Sequence, residues 1–198
     1  MSVDVKRAFD VAASTAGLVV LSPVFLGVGV TIWAQDRGPV FFRQERVGRG
    51  GRTFRIHKFR SMCVSNAGAL VTSAQDSRIT PVGAFLRKSK LDELPQLIDV
   101  LTGDMSLVGP RPEVPRFVAM WPEDARGEIL SVRPGISDPA AIAFRHEQDE
   151  LAAAEDPERH YIDVILPKKV AMYRDYVRTR SFLGDLRVIL GTFAAIAK

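Results

Sequence analysis

The chain has 198 residues, 46% hydrophobic and 25% charged, a length and balance that provide one cored domain and exclude a disordered or low-complexity chain. The net charge of +4 fits nucleic acid, acidic lipid or a phosphorylated substrate, so its placement along the chain has to choose among them. The single cysteine, Cys63, excludes an intrachain disulfide and a thiolate metal cluster.

From Val11 to Trp33 the chain runs 23 residues without a charge. As a helix this stretch is roughly 35 Å long, enough to cross a hydrocarbon core of ~30 Å. It is longer than a signal-peptide core of ~7–15 residues and no small-residue cleavage site follows it. Ser22-Pro23 falls at its midpoint. Proline removes a backbone donor there and crowds the preceding turn, which predicts a kink or break. The Ser22 hydroxyl is placed to take a carbonyl freed by that break, as an apolar medium requires. Lys6 and Arg7 precede the segment; Arg37, Arg43, Arg46, Arg49, Arg52, Arg55, Lys58 and Arg60 follow it, opposed only by Glu45 after Arg37. Basic flanks prefer the cytoplasmic side, so a helix that enters and returns suits both ends better than one that spans.

After Gly38-Pro39, two part-alternating runs, Val40–Val47 and Thr53–Arg60, flank Gly48-Arg49-Gly50-Gly51-Arg52 and predict a β-hairpin with a basic surface. Arg49 and Arg52, in the turn, read as solvated charges. Leu91, Leu94, Leu97, Ile98 and Leu101 recur at helical spacing up to a stop at Gly103. If Asp92 caps that helix, Pro95 falls in its first turn, and Asp92 and Glu93 lie beside orphan N–H groups that suit anions. Gly109-Pro110-Arg111-Pro112 and Arg133-Pro134-Gly135 read as stiff loops. Glu147 to Glu158 is acidic and alanine-rich, a helix or exposed connector ending at Pro157. Two amphipathic helices follow, Lys168 to Arg180 and Phe182 to Ala197, the second suited to core packing or to a membrane interface.

Adjacent acids at a helix start are ordinarily capping residues. A carboxylate can also attack phosphorus, provided cations or a divalent metal offset the phosphate charge. Lys58, Arg60, Arg78, Arg87, Lys88, Lys90 and Arg111 surround Asp92 and Glu93 in sequence. Arg111, between two prolines, can present its guanidinium to phosphate at little ordering cost, or bond loop carbonyls instead. His57, His146 and His160 lack metal-ligand spacing. No phosphate-cradling Walker loop, dinucleotide fingerprint or nucleophile elbow is present.

Taken in order, a series of motifs resembles the bacterial sugar transferases, the small monotopic phosphoglycosyl transferases. The series is Lys6-Arg7-Ala8-Phe9-Asp10, Ser22-Pro23, Gly38-Pro39-Val40-Phe41-Phe42-Arg43-Gln44, Arg46-Val47-Gly48, Lys58-Phe59-Arg60-Ser61-Met62, Arg78-Ile79-Thr80-Pro81-Val82-Gly83, Lys90-Leu91-Asp92-Glu93-Leu94-Pro95-Gln96, Gly103–Pro112 and Arg133-Pro134-Gly135. The resemblance implies an α+β, mostly helical fold: a re-entrant membrane helix over residues 1–36, broken at Ser22 and Pro23, then a compact cytoplasmic catalytic domain over 37–198 with a small β-hairpin and interfacial amphipathic helices. It implies a localisation at the bacterial inner membrane and no nucleic-acid partner, and it leaves a homodimer open.

It also implies transfer of a sugar 1-phosphate from a UDP-sugar to undecaprenyl phosphate, with release of UMP, by a ping-pong mechanism requiring Mg²⁺. Asp92 would be the nucleophile, Glu93 a metal neighbour or proton acceptor, and both would be the metal ligands. Arg111 would hold substrate phosphate, with Lys58, Arg60, Arg78 and Arg133 as supporting charges. One departure stands out. Many relatives follow Arg-Pro-Gly-Ile with threonine and glycine, whereas Ile136 is followed here by Ser137-Asp138-Pro139, which leaves sugar specificity open. No extra spanning helices or further domain like those of the large relatives are encoded, so the sequence reads as the minimal catalytic form. Two rivals are a membrane-anchored lipid-binding scaffold without chemistry and a soluble nucleic-acid binder; the uncharged segment opposes the second.

Overall fold

The computed structural model describes residues 3–63 and 76–196; Ala197, where the last helix was expected to end, lies outside them. The uncharged segment is divided between two helices, α1 (Val3–Val20) and α2 (Ser22–Asp36), bent by 61° at the break. Neither helix alone is long and apolar enough to cross a membrane. Pro23 has no N–H for the carbonyl of Val19, and the Ser22 hydroxyl donates to that oxygen instead, at 2.8 Å. Val19, Val20, Leu26, Val30 and Trp33 are exposed on the pair, an apolar surface with no polar shell of its own.

The start of α1 is fastened to the rest of the molecule. Arg7 donates to the carbonyls of Val100 and Leu101 at 2.6 and 3.0 Å. Buried Asp10 accepts from the Ser106 hydroxyl at 2.8 Å and the Leu107 N–H at 3.2 Å. The far end of α2 is fastened too, because Asp36 accepts from Arg60 at 2.7 Å. Gly38 lies against this guanidinium, where an added Cβ would approach within 2.6 Å.

The expected hairpin forms. Strands β1 (Phe41–Val47) and β2 (Thr53–Phe59) pair antiparallel, with Phe41 opposite Phe59 and Val47 opposite Thr53. Gly50 and Gly51 take positive φ in the turn, the conformation glycine adopts without a Cβ penalty. Phe59 stacks on Phe41, meets Phe25 of α2, and shares a buried cluster with Ile32 and Leu86. The apolar hairpin of helices is thereby seated on the β-hairpin and on α3 (Pro81–Lys88), which Thr80 caps by accepting from the Gly83 N–H.

The helix expected near Leu91 begins later. Leu91–Glu93 form a separate 3₁₀ turn, and α4 runs from Gln96 to Thr102 with Pro95 at its cap position. Pro95 cannot donate to the carbonyl of Leu91, which accepts from Leu94 at 3.2 Å in the tighter pattern. Asp92 therefore does not cap an α-helix, and Pro95 is not in a first turn. The stop at Gly103 is correct; its φ is 95°.

Arg133-Pro134-Gly135 leads into a strand rather than a free loop. Strand β3 (Ser106–Val108) pairs in parallel with β4 (Gly135–Ser137). Gly109 and Gly135 cross backbone to backbone, so that a Cβ on Gly135 would meet Gly109 N at 2.0 Å. The chain runs on through α5 (Pro115–Ala119), α6 (Glu123–Ile129), α7 (Pro139–Ala143), α8 (Glu147–Ala153), α9 (Pro157–His160), a π turn at Tyr161–Ile165 and α10 (Leu166–Thr179). Their main core includes Phe117, Trp121, Ile129, Leu151, Ile165 and Tyr173. Pro157 starts a helix instead of ending one, because Asp156 accepts from the Arg159 N–H and proline costs no bond at the first helical position. The last helix, α11 (Phe182–Ile196), leaves Leu183, Leu190 and Phe193 exposed.

Candidate active site

Two elements, β2 and the proline-rich loop at Arg111, converge on Glu93. Lys58 on β2 places Nζ 2.9 Å from Glu93 Oε1. Arg111 bonds both oxygens of the same carboxylate, its Nη1 lying 3.2 Å from Oε2 and its Nη2 bonding Oε1. Lys58 is aimed because its neighbour His57 is locked to α4, its N–H donating to Asp99 Oδ2 at 2.8 Å. Arg111 is aimed because β4 clamps the loop that carries it: Gly135 N–H donates to the Pro110 carbonyl at 2.9 Å, and Gly109 N–H to the Ser137 carbonyl at 3.1 Å. The close glycine crossing is what brings the two proline-rich segments together.

Asp92 sits differently. It is 6% exposed, and its Oδ1 is buried with no hydrogen-bond partner among the described residues. Burial and the neighbouring charge of Glu93 push its carboxyl up, against the pull of Lys58, Arg87 and Lys90. Burial also pushes Glu93 up, but Arg111 and Lys58 outweigh it and hold that carboxylate well below the usual range. The charge of Glu93 in turn raises Arg111 well above an ordinary guanidinium. The pair is thus split into one firmly ionised acid, bonded to its cations, and one more basic acid with an oxygen to spare. Lys90, just before them, holds a left-handed φ of 57°, an uncommon conformation for a residue with a side chain and the kind of local strain that gathers at functional sites.

The residues expected to bind phosphate are not all gathered here. Lys58 and Arg111 are. Arg60 pairs with Asp36 at the end of α2. Arg78 bonds Asp76, with Nε 2.9 Å from Oδ1. Arg133 donates to the Gly103 carbonyl at 2.7 Å and lines a separate basic pocket. In place of these three, Arg87 and Lys90 act on both acids. Arg87 has its Nε buried without a partner.

Two buried acids behind Arg111 had no signal beyond an unusual residue type. Asp138 is fully buried, caps α7 by accepting from the Ala141 N–H at 2.9 Å, and is pushed up to about 6 by burial, with Arg111 opposing. Glu113 accepts from the Tyr161 hydroxyl at 2.6 Å and lies 3.6 Å from Arg46.

Among the described residues no group of three or more His, Cys, Asp or Glu side chains is placed to hold a metal ion. The acceptors that remain are Asp92 Oδ1 and the spare lone pair of Glu93 Oε2. Two carboxylates with substrate phosphate and water are an ordinary Mg²⁺ set, so the residues fit that ion.

A buried acid with a free oxygen, beside a second acid neutralised by cations, is an arrangement suited to a phosphate-bearing ligand. The chain belongs to the bacterial sugar transferase family, whose model matches residues 1–198. It is 43% identical over 149 residues to a UDP-N-acetylgalactosamine-undecaprenyl-phosphate N-acetylgalactosaminephosphotransferase of Aeromonas hydrophila, covering 73% of this chain and 35% of that protein. It is 38% identical over 192 residues to the UDP-glucose:undecaprenyl-phosphate glucose-1-phosphate transferase of Escherichia coli K12, covering 94% and 39%. It is 33% identical to the exopolysaccharide production protein ExoY of Sinorhizobium fredii, covering 96% and 84%. The chain spans well under half the length of the first two relatives.

Proposed function

We propose that this chain transfers a sugar 1-phosphate from a UDP-sugar to undecaprenyl phosphate at the bacterial inner membrane. The observation that carries the reading is the unpartnered, buried Oδ1 of Asp92 beside a Glu93 already neutralised by Lys58 and Arg111. The names of the relatives support the donor and acceptor classes. The exposed apolar surface of α1 and α2 supports a membrane seat, with the bend at Ser22-Pro23 suiting a re-entrant segment.

In the first half-reaction an Asp92 oxygen attacks the phosphorus bonded to the sugar. The new O–P bond forms as the bond to UMP oxygen breaks, and UMP leaves as an anion. In the second, a phosphate oxygen of undecaprenyl phosphate attacks the same phosphorus, the Asp92 O–P bond breaks, and the carboxylate is restored with a polyprenyl diphosphate sugar as product. Burial that raises the basicity of Asp92 makes its ionised form the better nucleophile. Arg111 and Lys58 stabilise charge on the transferring phosphoryl oxygens, with Arg87 and Lys90 adding field. Glu93 keeps those cations in place. Mg²⁺, held by Asp92 and Glu93, would supply further neutralisation of phosphate charge.

The test is intact-mass analysis of detergent-solubilised protein incubated with UDP-sugars and no acceptor, together with UMP release. A phosphosugar adduct mapped to Asp92, absent in Asp92→Asn, is expected. Turnover without an adduct on that residue sinks the covalent mechanism; no UMP from any donor in folded protein with Mg²⁺ sinks the activity and leaves the lipid-binding scaffold standing.

A further inference from the structure

A second cavity, of about 140 Å³, lies between the start of α1, the β-hairpin turn and the end of α10. Its lining includes five cations, Lys6, Arg7, Arg49, Arg133 and Arg180, and one carboxylate, Asp10. Three of the five are already engaged: Lys6 with Asp185, Arg7 with the carbonyls of Val100 and Leu101, and Arg133 through Nε with Gly103. Asp10 is occupied by Ser106 and Leu107. Arg49 and Arg180, exposed at the rim, form no side-chain hydrogen bond or ion pair among the described residues. Burial and the like charges of Arg7 and Arg49 pull Arg133 down, as unneutralised positive charge would.

The pocket is too small for a nucleotide or a drug-sized ligand, which occupy roughly 300–1,000 Å³. Its size suits one tetrahedral anion, and guanidinium forks match phosphate oxygens in pairs. Its height is informative as well. Lys6 and Arg7 precede the uncharged stretch that opens at Val11. Four to five residues of helix at ~1.5 Å each set the pocket within about 6–8 Å of that boundary along the α1 axis. The headgroup layer of a bilayer is about 5–7 Å deep on each side.

We propose that this pocket binds the phosphate of an anionic membrane lipid, apart from the site around Asp92. The lipid source rests on the membrane placement of α1 and α2; the preference for phosphate does not.

The experiment uses the full chain in detergent and the double variant Arg49→Gln/Arg180→Gln, neither residue belonging to the transferase site. Native mass spectrometry with phosphatidylglycerol or phosphatidylcholine reads lipid adducts, and thermal unfolding with inorganic phosphate reads the soluble anion. Wild type is expected to retain phosphatidylglycerol over phosphatidylcholine, and the double variant to lose about tenfold or more of that preference. UMP release by the variant in detergent is expected to stay at the wild-type level, which separates this outcome from failure of the proposed activity. Equal retention by wild type and variant overturns the proposal. Stabilisation by inorganic phosphate in wild type alone, without lipid preference, overturns the lipid source and assigns the pocket to a soluble phosphate.

Discussion

Asp92 and Glu93 are neighbours in the chain and opposites in their surroundings: Glu93 accepts from Lys58 and from both arms of Arg111, while Asp92 Oδ1 has no donor among the described residues. The two acids should therefore respond oppositely to neutralisation. Asp92→Asn removes a carboxyl whose charge burial disfavours, so its thermal midpoint should rise while UMP release falls by about a thousandfold or more. Glu93→Gln leaves Lys58 and Arg111 facing each other without their shared anion. Their sites are partly open to solvent, so the cost is about 2–3 kcal/mol, below that of breaking a fully buried pair. Thermal unfolding of both variants decides it. Destabilisation by Asp92→Asn would contradict the assignment of roles.

Arg111 holds Glu93 with two guanidinium nitrogens, a geometry an ammonium cannot copy. Arg111→Lys should keep the fold and most of the local charge yet lose about 10- to 100-fold in kcat/KM, since a point charge replaces a planar fork. Arg111→Ala should lose more activity and also stability. Steady-state kinetics of the lysine variant at wild-type level would show that charge alone suffices.

Much of this site was readable from residue types and spacing. The break at Ser22-Pro23, the hairpin, the stop at Gly103 and the acidic pair each follow from local rules about proline, glycine and charge. Local rules failed where long-range contacts decide. The first-turn position expected for Pro95 does not form, because Leu91–Glu93 close a separate 3₁₀ turn and the helix begins only at Gln96. The pairing of β3 with β4 is invisible because three-residue strands carry no periodicity, and only the glycine crossing fixes them. Arg133, like Arg111, is followed by a proline but bonds the Gly103 carbonyl instead of an acid. Arg49 is exposed, as its place in the turn predicts, and what the sequence does not show is that it stands at the rim of a basic pocket. Charge in sequence says nothing about which acid each cation meets.

Asp138 yields a pH prediction. Burial raises its carboxyl from 3.8 to about 6. For an acid raised in the folded state, the folded protein binds the extra proton, so stability is fully present below about 3.8 and is lost as pH rises through about 6. The loss amounts to about 2–3 kcal/mol at 1.36 kcal/mol per unit. Asp138→Asn keeps an acceptor for Ala141 and removes the titration. Its midpoint should gain on wild type between about pH 4 and 6, across the interval from the unfolded to the folded carboxyl value, and the gap should then level off. A gap that stays constant between about pH 4 and 6 would show that Asp138 is not the group that titrates.

The bend at Ser22-Pro23 has two possible causes, the proline itself or the anchoring of both helix ends on one domain. Replacing Pro23 by alanine restores an N–H for Val19 and removes a helix-interior cost of about 3 kcal/mol. Against straightening stand two bonds from Arg7 and two to Asp10, each with one charged partner and worth about 1.5–3 kcal/mol. Asp36 and Arg60 hold the other end. The anchors outweigh the proline. In Cys63→Ser protein carrying Val5→Cys at an exposed position, labelling in membrane vesicles of known sidedness should place residue 5 on the cytoplasmic side, and Pro23→Ala should leave it there. Only Pro23→Ala combined with Arg7→Ala and Asp10→Ala should move it across. Relocation by Pro23→Ala alone would show that the proline, and not the grip of the domain on α1, sets the topology.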